Sequence, residues 1–312
     1  MLPRPPKFEA ACRILRTLRE AGYESYLAGG CVRDLMLGHE PKDFDVATAA
    51  TPDVVLRMFP RTFAVGAHFG VVLVCSDRGE AGVAGERSEA QADEDVVIEV
   101  ATFRCDGAYS DGRRPDEVRY TTSAAEDVQR RDFTINGLLL DPFAVSLHAG
   151  PSSAPRLDPD DESTGRDDEF QERLRAAVID HVGGLSDLDR GVVRAIGHAE
   201  LRVKEDHLRM LRGVRFAARL SFELEAETAA AIRRLAAKTS LVSRERVRDE
   251  LTKMLTEGKA RRAFELLDAT GLLVEVLPEI ARMKGVKQPP QFHPEGDVWT
   301  HTLLLLDQLE PG

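Results

Sequence analysis

Two aspartates separated by a single residue, Asp43 and Asp45 in "DFDVAT", follow a glycine pair, Gly29 and Gly30 in "YLAGGCVRDLMLG". In a β-strand side chains alternate between faces, so the two carboxylates point the same way and Phe44 is buried behind them. That arrangement suits Mg²⁺, a hard cation commonly held by one or two carboxylates together with substrate phosphates; two such ions can activate an attacking oxygen and stabilise a leaving one. Glu99 in "VVIEVATFR" supplies a third acid if its strand lies beside the first. An Asp-x-Asp is frequent by chance, and two solvated acids at a strand end would be the plainer account of it taken alone.

The glycines change that balance. Between a strand and a helix, residues without Cβ allow a phosphate to approach closely, and the helix N-terminus presents unpaired N–H donors to it. Arg33 sits in the first helical turn with them. Singly, the glycines are a tight turn and the arginine a surface cation. Combined with two acids able to hold a metal, phosphoryl chemistry on a nucleotide explains them better. The bend then cradles a triphosphate, the arginine neutralises it, and the acids hold the metal that polarises it.

These groups have to be positioned by a mixed scaffold. Residues 7–21 carry apolar positions at helical spacing, "ESYLAGG" reads as a strand ending in glycines, and a helix follows to a stop at Gly38. Alternation returns in "DFDVAT", "FGVVLVC" and "DVVIEVATFR", so the first part is α/β. From about residue 171 strands disappear. "QERLRAAVIDHVGG", "EDHLRMLRGVRFAARL", "AETAAAIRRLAAKT", "SRERVRDELTKML" and "KARRAFELLDATGLL" all show three- and four-residue apolar spacing, so the second part is all-helical. The expected organisation is a head over 1–150, an acidic loop over 151–170, a helical neck over 171–222, a helical body over 223–287 and a terminal segment over 288–312. There is no internal repeat.

With 312 residues, 43% hydrophobic and 30% charged, the chain can bury more than one core, and no apolar run approaches the roughly 20 residues of a membrane span. The N-terminus has no apolar secretory core, which leads us to expect a cytoplasmic location. Cys12, Cys31, Cys75 and Cys105 are scattered, as free thiols are, and form no CxxC pair. The net charge of −11 excludes a general basic coat. Much of the acidity falls in 77–95 and 151–170, whereas 202–222 gathers arginines into a local basic wall.

The series "GGCVRDLMLG", "DFDVAT", "RRDFTINGL", "EDHLRMLRGVRFAARL" and "SRERVRDELTKML", in that order over most of residues 23–255, resembles the class II tRNA nucleotidyltransferase and poly(A) polymerase family. The resemblance implies a polymerase-β-like nucleotidyltransferase head followed by an all-helical neck and body, α+β overall. It also implies template-free addition of nucleotides to an RNA 3′ end. Carried over to this chain, it makes Asp43 and Asp45 the metal ligands, Glu99 a third acid, and Gly30 and Arg33, with Gly29 beside them, triphosphate contacts. Asp132 in "RRDFTIN" becomes the contact to the ribose, with Arg131 beside it near the phosphates. A carboxylate suits that task, since it accepts a hydrogen bond from a hydroxyl that a deoxynucleotide lacks.

Asp206 and Arg209 lie three apart on the helix expected for "EDHLRMLRGVR", with Arg212 and Arg215 continuing the row and Glu205 one residue out of line. In the family the Asp and the first Arg present acceptors and donors to the incoming base, replacing a nucleic-acid template. A salt-bridged surface helix is the alternative for such spacing. Set beside members of that family, the loop-like stretch before "RRDFTIN" looks full length, and "AVGAHFGVVLV" resembles the CCA-adding pattern more than the poly(A) polymerase one. The expected activity is therefore Mg²⁺-dependent addition of CMP and AMP from CTP and ATP to the 3′ end of tRNA. A poly(A) polymerase or A-adding enzyme stands as the enzymatic alternative, and a non-catalytic RNA- or nucleotide-binding module as the alternative from another class. The end, "KQPPQFHPEGDVWTHTLLLLDQLEPG", resembles the opening of an HD-type metal phosphohydrolase domain, with His301 matching its first histidine and His293 nearby; a terminal amphipathic helix packed on the body is the plainer reading.

Overall fold

The computed structural model describes residues 5–64, 70–76, 96–107, 117–145 and 164–309, with the backbone alone for 164–169. Two compact units make up the chain. The first comprises Met1–Cys105, Val118–Arg130 and Asn136–Val182, the second Asp106–Glu117, Arg131–Ile135 and Gly183–Gly312. The short "RDFTI" stretch thus belongs to the second unit although both its neighbours in sequence belong to the first.

The first unit is α/β. Among the described residues its main sheet has seven strands, β1 (Ser25–Ala28), β2 (Asp45–Thr48), β3 (Thr62–Phe63), β4 (Val71–Ser76), β5 (Val96–Thr102), β6 (Leu138–Leu140) and β7 (Val178–Asp180), in the order β3-β4-β5-β2-β1-β6-β7. β2 and β5 pair in parallel, and the other neighbours are antiparallel. The runs "VVLVCS" and "VVIEVAT" owe their strand form to β-branched side chains that fit a pleated surface. Helix α1 (Pro6–Glu20) begins with proline in its first turn, where a missing N–H does no harm. It packs on β1, β2 and β5 and buries Phe8, Ile14, Leu15 and Leu18. Each fully buried large apolar side chain contributes about 1.5–3 kcal/mol, so this face fixes the helix to the sheet.

Strands persist further along the chain than the apolar spacing predicts. Val178–Asp180, inside "QERLRAAVIDHVGG", is the edge strand β7, paired with β6; the helix before it runs Thr164–Ala176 and begins inside the stretch read as an acidic loop. Two β-branched residues, Val178 and Ile179, follow the last helical turn and take the open sheet edge. In the second unit Val192–Val193 and Glu223–Leu224 form a short parallel pair.

Most other described residues of the second unit are helical. It includes α3 (Ala199–Glu205), α4 (Arg209–Arg219), α5 (Arg244–Thr256), α6 (Ala260–Ala269) and α7 (Val298–Asp307). Met210, Leu211 and Val214 of α4 pack in one core with Met254, Phe264, Leu267, Trp299 and Leu303. The terminal "VWTHTLLLLD" is thus a helix docked in this core. The acidic stretch 77–95, residues 151–163 of the second one, residues 108–116 of the loop before "RRDFTIN", and 65–69 of "AVGAHFGVVLV" lie outside the described residues.

Candidate active site

In the first unit the chain turns from β1 into helix α2 (Gly30–Met36) at Gly29, whose φ of 76° and ψ of −128° suit only a residue without Cβ. Its N–H donates to the Leu138 carbonyl, 3.1 Å away. Gly30 is less constrained, since an added Cβ would meet nothing nearer than Arg33 Nη2 at 3.7 Å. The turn therefore depends on Gly29, and Gly30 keeps the surface above Arg33 low.

Arg33 departs from the expectation of a cation facing a ligand. It is 3% exposed, because its Nε and Nη2 donate to Asp34 Oδ1 at 2.8 and 2.7 Å and its Nη1 to Asn136 Oδ1 at 2.6 Å. Asp34 and Asn136 draw the guanidinium beneath the bend.

Asp45 opens β2 opposite Ala28, the last residue before Gly29, so the bend and this acid share one end of the sheet. Asp43 precedes the strand, and the alternation holds across the pair: Asp43 is exposed and Phe44 fully buried, with its ring edge-on to Phe8 at 5.3 Å. Lys7 Nζ lies 2.6 Å from Asp43 Oδ1. The parallel register Val46↔Val100 sets Glu99 on β5 alongside Asp45 on β2. Desolvation, followed by the charge of Asp43, raises the Glu99 carboxyl above its usual value even though the residue as a whole is exposed. Burial drives the Cys31 thiol under this surface up to about 12, so it stays protonated.

Hard oxygen donors that destabilise one another's charge are a suitable set for a divalent cation. Among the described residues, the one three-residue group of His, Cys, Asp or Glu with ligand atoms all within 4.8 Å is instead His293, Glu295 and His301. The looser acids of the head fit Mg²⁺, which takes few protein ligands and fills its shell with water and substrate phosphates.

The second unit holds the other residues. Asp132 is 9% exposed; its Oδ1 accepts from the Phe133 N–H at 2.8 Å, and its Oδ2 accepts from Arg212 Nε and Nη2 at 2.8 and 2.7 Å. The neighbouring Phe133 ring lies over Gly213, where an added Cβ would come within 3.0 Å of it, and edge-on to Phe216. Burial opposes the Arg212 charge, but Asp132 and Glu250 outweigh it and hold the guanidinium protonated more firmly than usual. Arg131, next to Asp132, is half-buried.

The stretch "EDHLRMLRGVR" is two helices instead of the single one its spacing predicts. Asp206 terminates α3 in an extended conformation, and its Oδ1 accepts from the Leu208 N–H at 3.0 Å, a local bond that competes with helix continuation. Asp206 and Arg209 consequently do not share a helix face. Glu205, the residue out of line, binds both Arg209 and Arg202, while Asp206 is gripped by Arg246 of α5. Arg215 is 5% exposed and committed to Glu250 and Glu257 at 2.6 and 3.1 Å, so it ties α4 to α5 rather than extending a ligand-facing row. Arg246 and Glu250, four residues apart in "RERVRDEL", are the contributors that pattern reading passed over. Their i, i+4 spacing on one helix face was the available signal.

Residues 25–149 match the family model described as Poly A polymerase head domain, and residues 221–284 match the one described as Probable RNA and SrmB- binding site of polymerase A. A CCA-adding enzyme of Lactobacillus johnsonii is 35% identical over 97% of this chain and 65% of its own length. That of Bacillus pumilus is 36% identical over 86% and 55%. The crystal structure of the Bacillus stearothermophilus CCA-adding enzyme in complex with CTP superposes with a TM-score of 0.63 at 34% identity, covering 86% of this chain and 53% of that one. The Thermotoga maritima CCA-adding enzyme complexed with tRNA shares the fold, with a TM-score of 0.60 at 18% identity over 94% and 56%. The chain spans less than two thirds of the length of these relatives.

Proposed function

We propose that this chain, whose residues 25–149 match the Poly A polymerase head model, is a member of that family and adds CMP and AMP to the 3′ end of tRNA, drawing on CTP and ATP and releasing pyrophosphate. The observation that carries the proposal is the grouping of Asp45 with the Gly29 bend at one end of two paired central strands, with Glu99 on the adjoining strand. Similarity to CCA-adding enzymes at about one-third identity over nearly the whole chain supports the choice of tRNA and of these two nucleotides.

In this reading Asp43, Asp45 and Glu99 hold Mg²⁺, and the metal supplies Lewis-acid stabilisation of the developing charge when bound. Gly29 and Gly30 let the triphosphate approach the backbone, with the α2 N–H groups turned toward it. Arg33 acts from below by fixing the bend through Asp34 and Asn136. In the second unit Asp132, oriented by Arg212, accepts from a ribose hydroxyl, with Arg131 beside it near the phosphates. Asp206 and Arg209, fixed by Arg246 and Glu205, read the base edge. Such anchoring favours discrimination, because a base with the wrong donors leaves buried groups unsatisfied. Arg215 serves this reading by holding α4 to α5.

The test is to incubate the chain and Mg²⁺ with tRNA transcripts ending before CCA, after C and after CC, with CTP, ATP or both. Completion of CCA on all three is the expected result. Addition of A to the CC-ended transcript alone would identify an A-adding enzyme, and long A tails a poly(A) polymerase. Binding without incorporation would identify a non-catalytic module.

A further inference from the structure

The burial of Arg33 leaves a task open in the head. Its guanidinium is spent on Asp34 and Asn136 beneath the bend, while Asp43 and Glu99 add exposed negative charge above it. A triphosphate brought to that surface with a divalent ion still needs a positive partner. Phosphoryl-transfer sites meet this need by pairing the metal with a Lys or Arg clamp.

Lys7 stands where that clamp would act. Its Nζ donates to Asp43 Oδ1 at 2.6 Å and to the Lys42 carbonyl at 3.0 Å. The next residue along each segment holds the pair in place: Phe8 of α1 meets Phe44 edge to face at 5.3 Å, and both rings are buried. This contact fastens the start of α1 to the segment that carries Asp43. The ion pair itself stays open to solvent, with the Lys7 side chain 44% and the Asp43 side chain 72% exposed. Lys7 follows Pro6 in the first turn of α1, where a cation meets the positive end of the helix dipole and an acid would be favoured. The helix gains nothing from a lysine there; the acid does.

We propose that Lys7 is a triphosphate-binding residue of the head, donating to a phosphate oxygen of the nucleotide from beside Asp43. The inference rests on the reading of Asp43 as a metal ligand. Mg²⁺ holds its ligands at about 2.0–2.1 Å, so a phosphate oxygen next to Asp43 in an octahedral shell is roughly 3 Å from the carboxylate oxygen. An ammonium already 2.6 Å from that carboxylate reaches such an oxygen by turning its flexible stem. It has three N–H donors, so it can add a phosphate contact without giving up both of its present ones. Lys7 thus supplies on the ligand side the charge that Arg33 supplies only beneath the bend.

The test measures equilibrium binding of CTP and of inorganic tripolyphosphate to the full chain without RNA, at saturating Ca²⁺, for the parent, K7M and K7R, with a thermal melt of each. The expected result is that K7M melts like the parent but binds both ligands about tenfold more weakly, as loss of a charge-assisted hydrogen bond implies, while K7R stays within about twofold of the parent. Parent-like binding of both ligands by K7M would reduce Lys7 to a counter-ion of Asp43 and overturn the assignment, as would a loss that K7R shares in full. A parent chain that binds neither ligand would overturn the reading of the head and this assignment with it.

Discussion

Arg246 grips both carboxylate oxygens of Asp206, Nη1 to Oδ1 at 3.2 Å and Nη2 to Oδ2 at 2.7 Å, across forty residues of sequence. The bidentate fork fixes the plane of the carboxylate, which a single contact would not. Replacing Arg246 with Lys keeps the charge and loses the fork. R246K should therefore lower the preference for CTP and ATP over GTP and UTP by about 10-fold, roughly the 1.5 kcal/mol of a charged hydrogen bond, with less effect on the rate for the right nucleotide. Competition assays with mixed nucleotides would check this, and an unchanged preference would remove Asp206 from base selection.

Arg33 separates buttressing from ligand contact. Its loss strands Asp34 and Asn136 in the interior, so R33A should destabilise the first unit by about 3–5 kcal/mol, the range for breaking a buried ion pair. A denaturant melt measures it. A well-folded R33A defective only in nucleotide affinity would return the arginine to the ligand side.

Gly213 sets how closely Phe133 approaches α4. A valine there meets the ring at a distance real Cβ atoms rarely reach, and overpacking of this kind costs about 1–3 kcal/mol. G213V should melt earlier than the parent and also weaken discrimination against deoxynucleotides, because displaced Phe133 shifts Asp132 from Arg212. Normal sugar selectivity in a folded G213V would break that link.

Glu99 gives a pH signature. A carboxyl raised in the folded chain keeps its proton to higher pH than in the unfolded chain, so folding is penalised as pH rises above the unfolded value and fully so above the folded one. E99Q removes the penalty. Relative to the parent it should gain stability near pH 7 without Mg²⁺ and show no gain at pH 4, as parallel melts at the two values would reveal. An equal effect at both would mean that ionisation of Glu99 is not the cause.

The sequence carried the head well because its signals are local. Strand alternation placed Asp43 and Asp45 around a buried Phe44, and a strand-to-helix glycine marked the bend. The placing of Glu99 beside Asp45 depends on β2 and β5 meeting in parallel, a long-range event that no local pattern encodes. The helical unit was harder to read. Periodicity continued through Asp206, yet the Asx bond to Leu208 ends the helix there, so the Asp206 and Arg209 partners came out as Arg246 and Glu205. Arg33 and Arg215 read as ligand-facing cations because sequence shows charge and not the buried acids that claim it.

The most direct test of the account is nucleotide incorporation by the D43A/D45A variant on a tRNA transcript ending before CCA, beside the unaltered chain, with thermal melts and CTP binding measured in parallel. The expected result is CCA completion by the unaltered chain and at least roughly a thousandfold loss in the variant, with the melt preserved. Incorporation that survives both substitutions, or none by the unaltered chain at any RNA concentration, would contradict it.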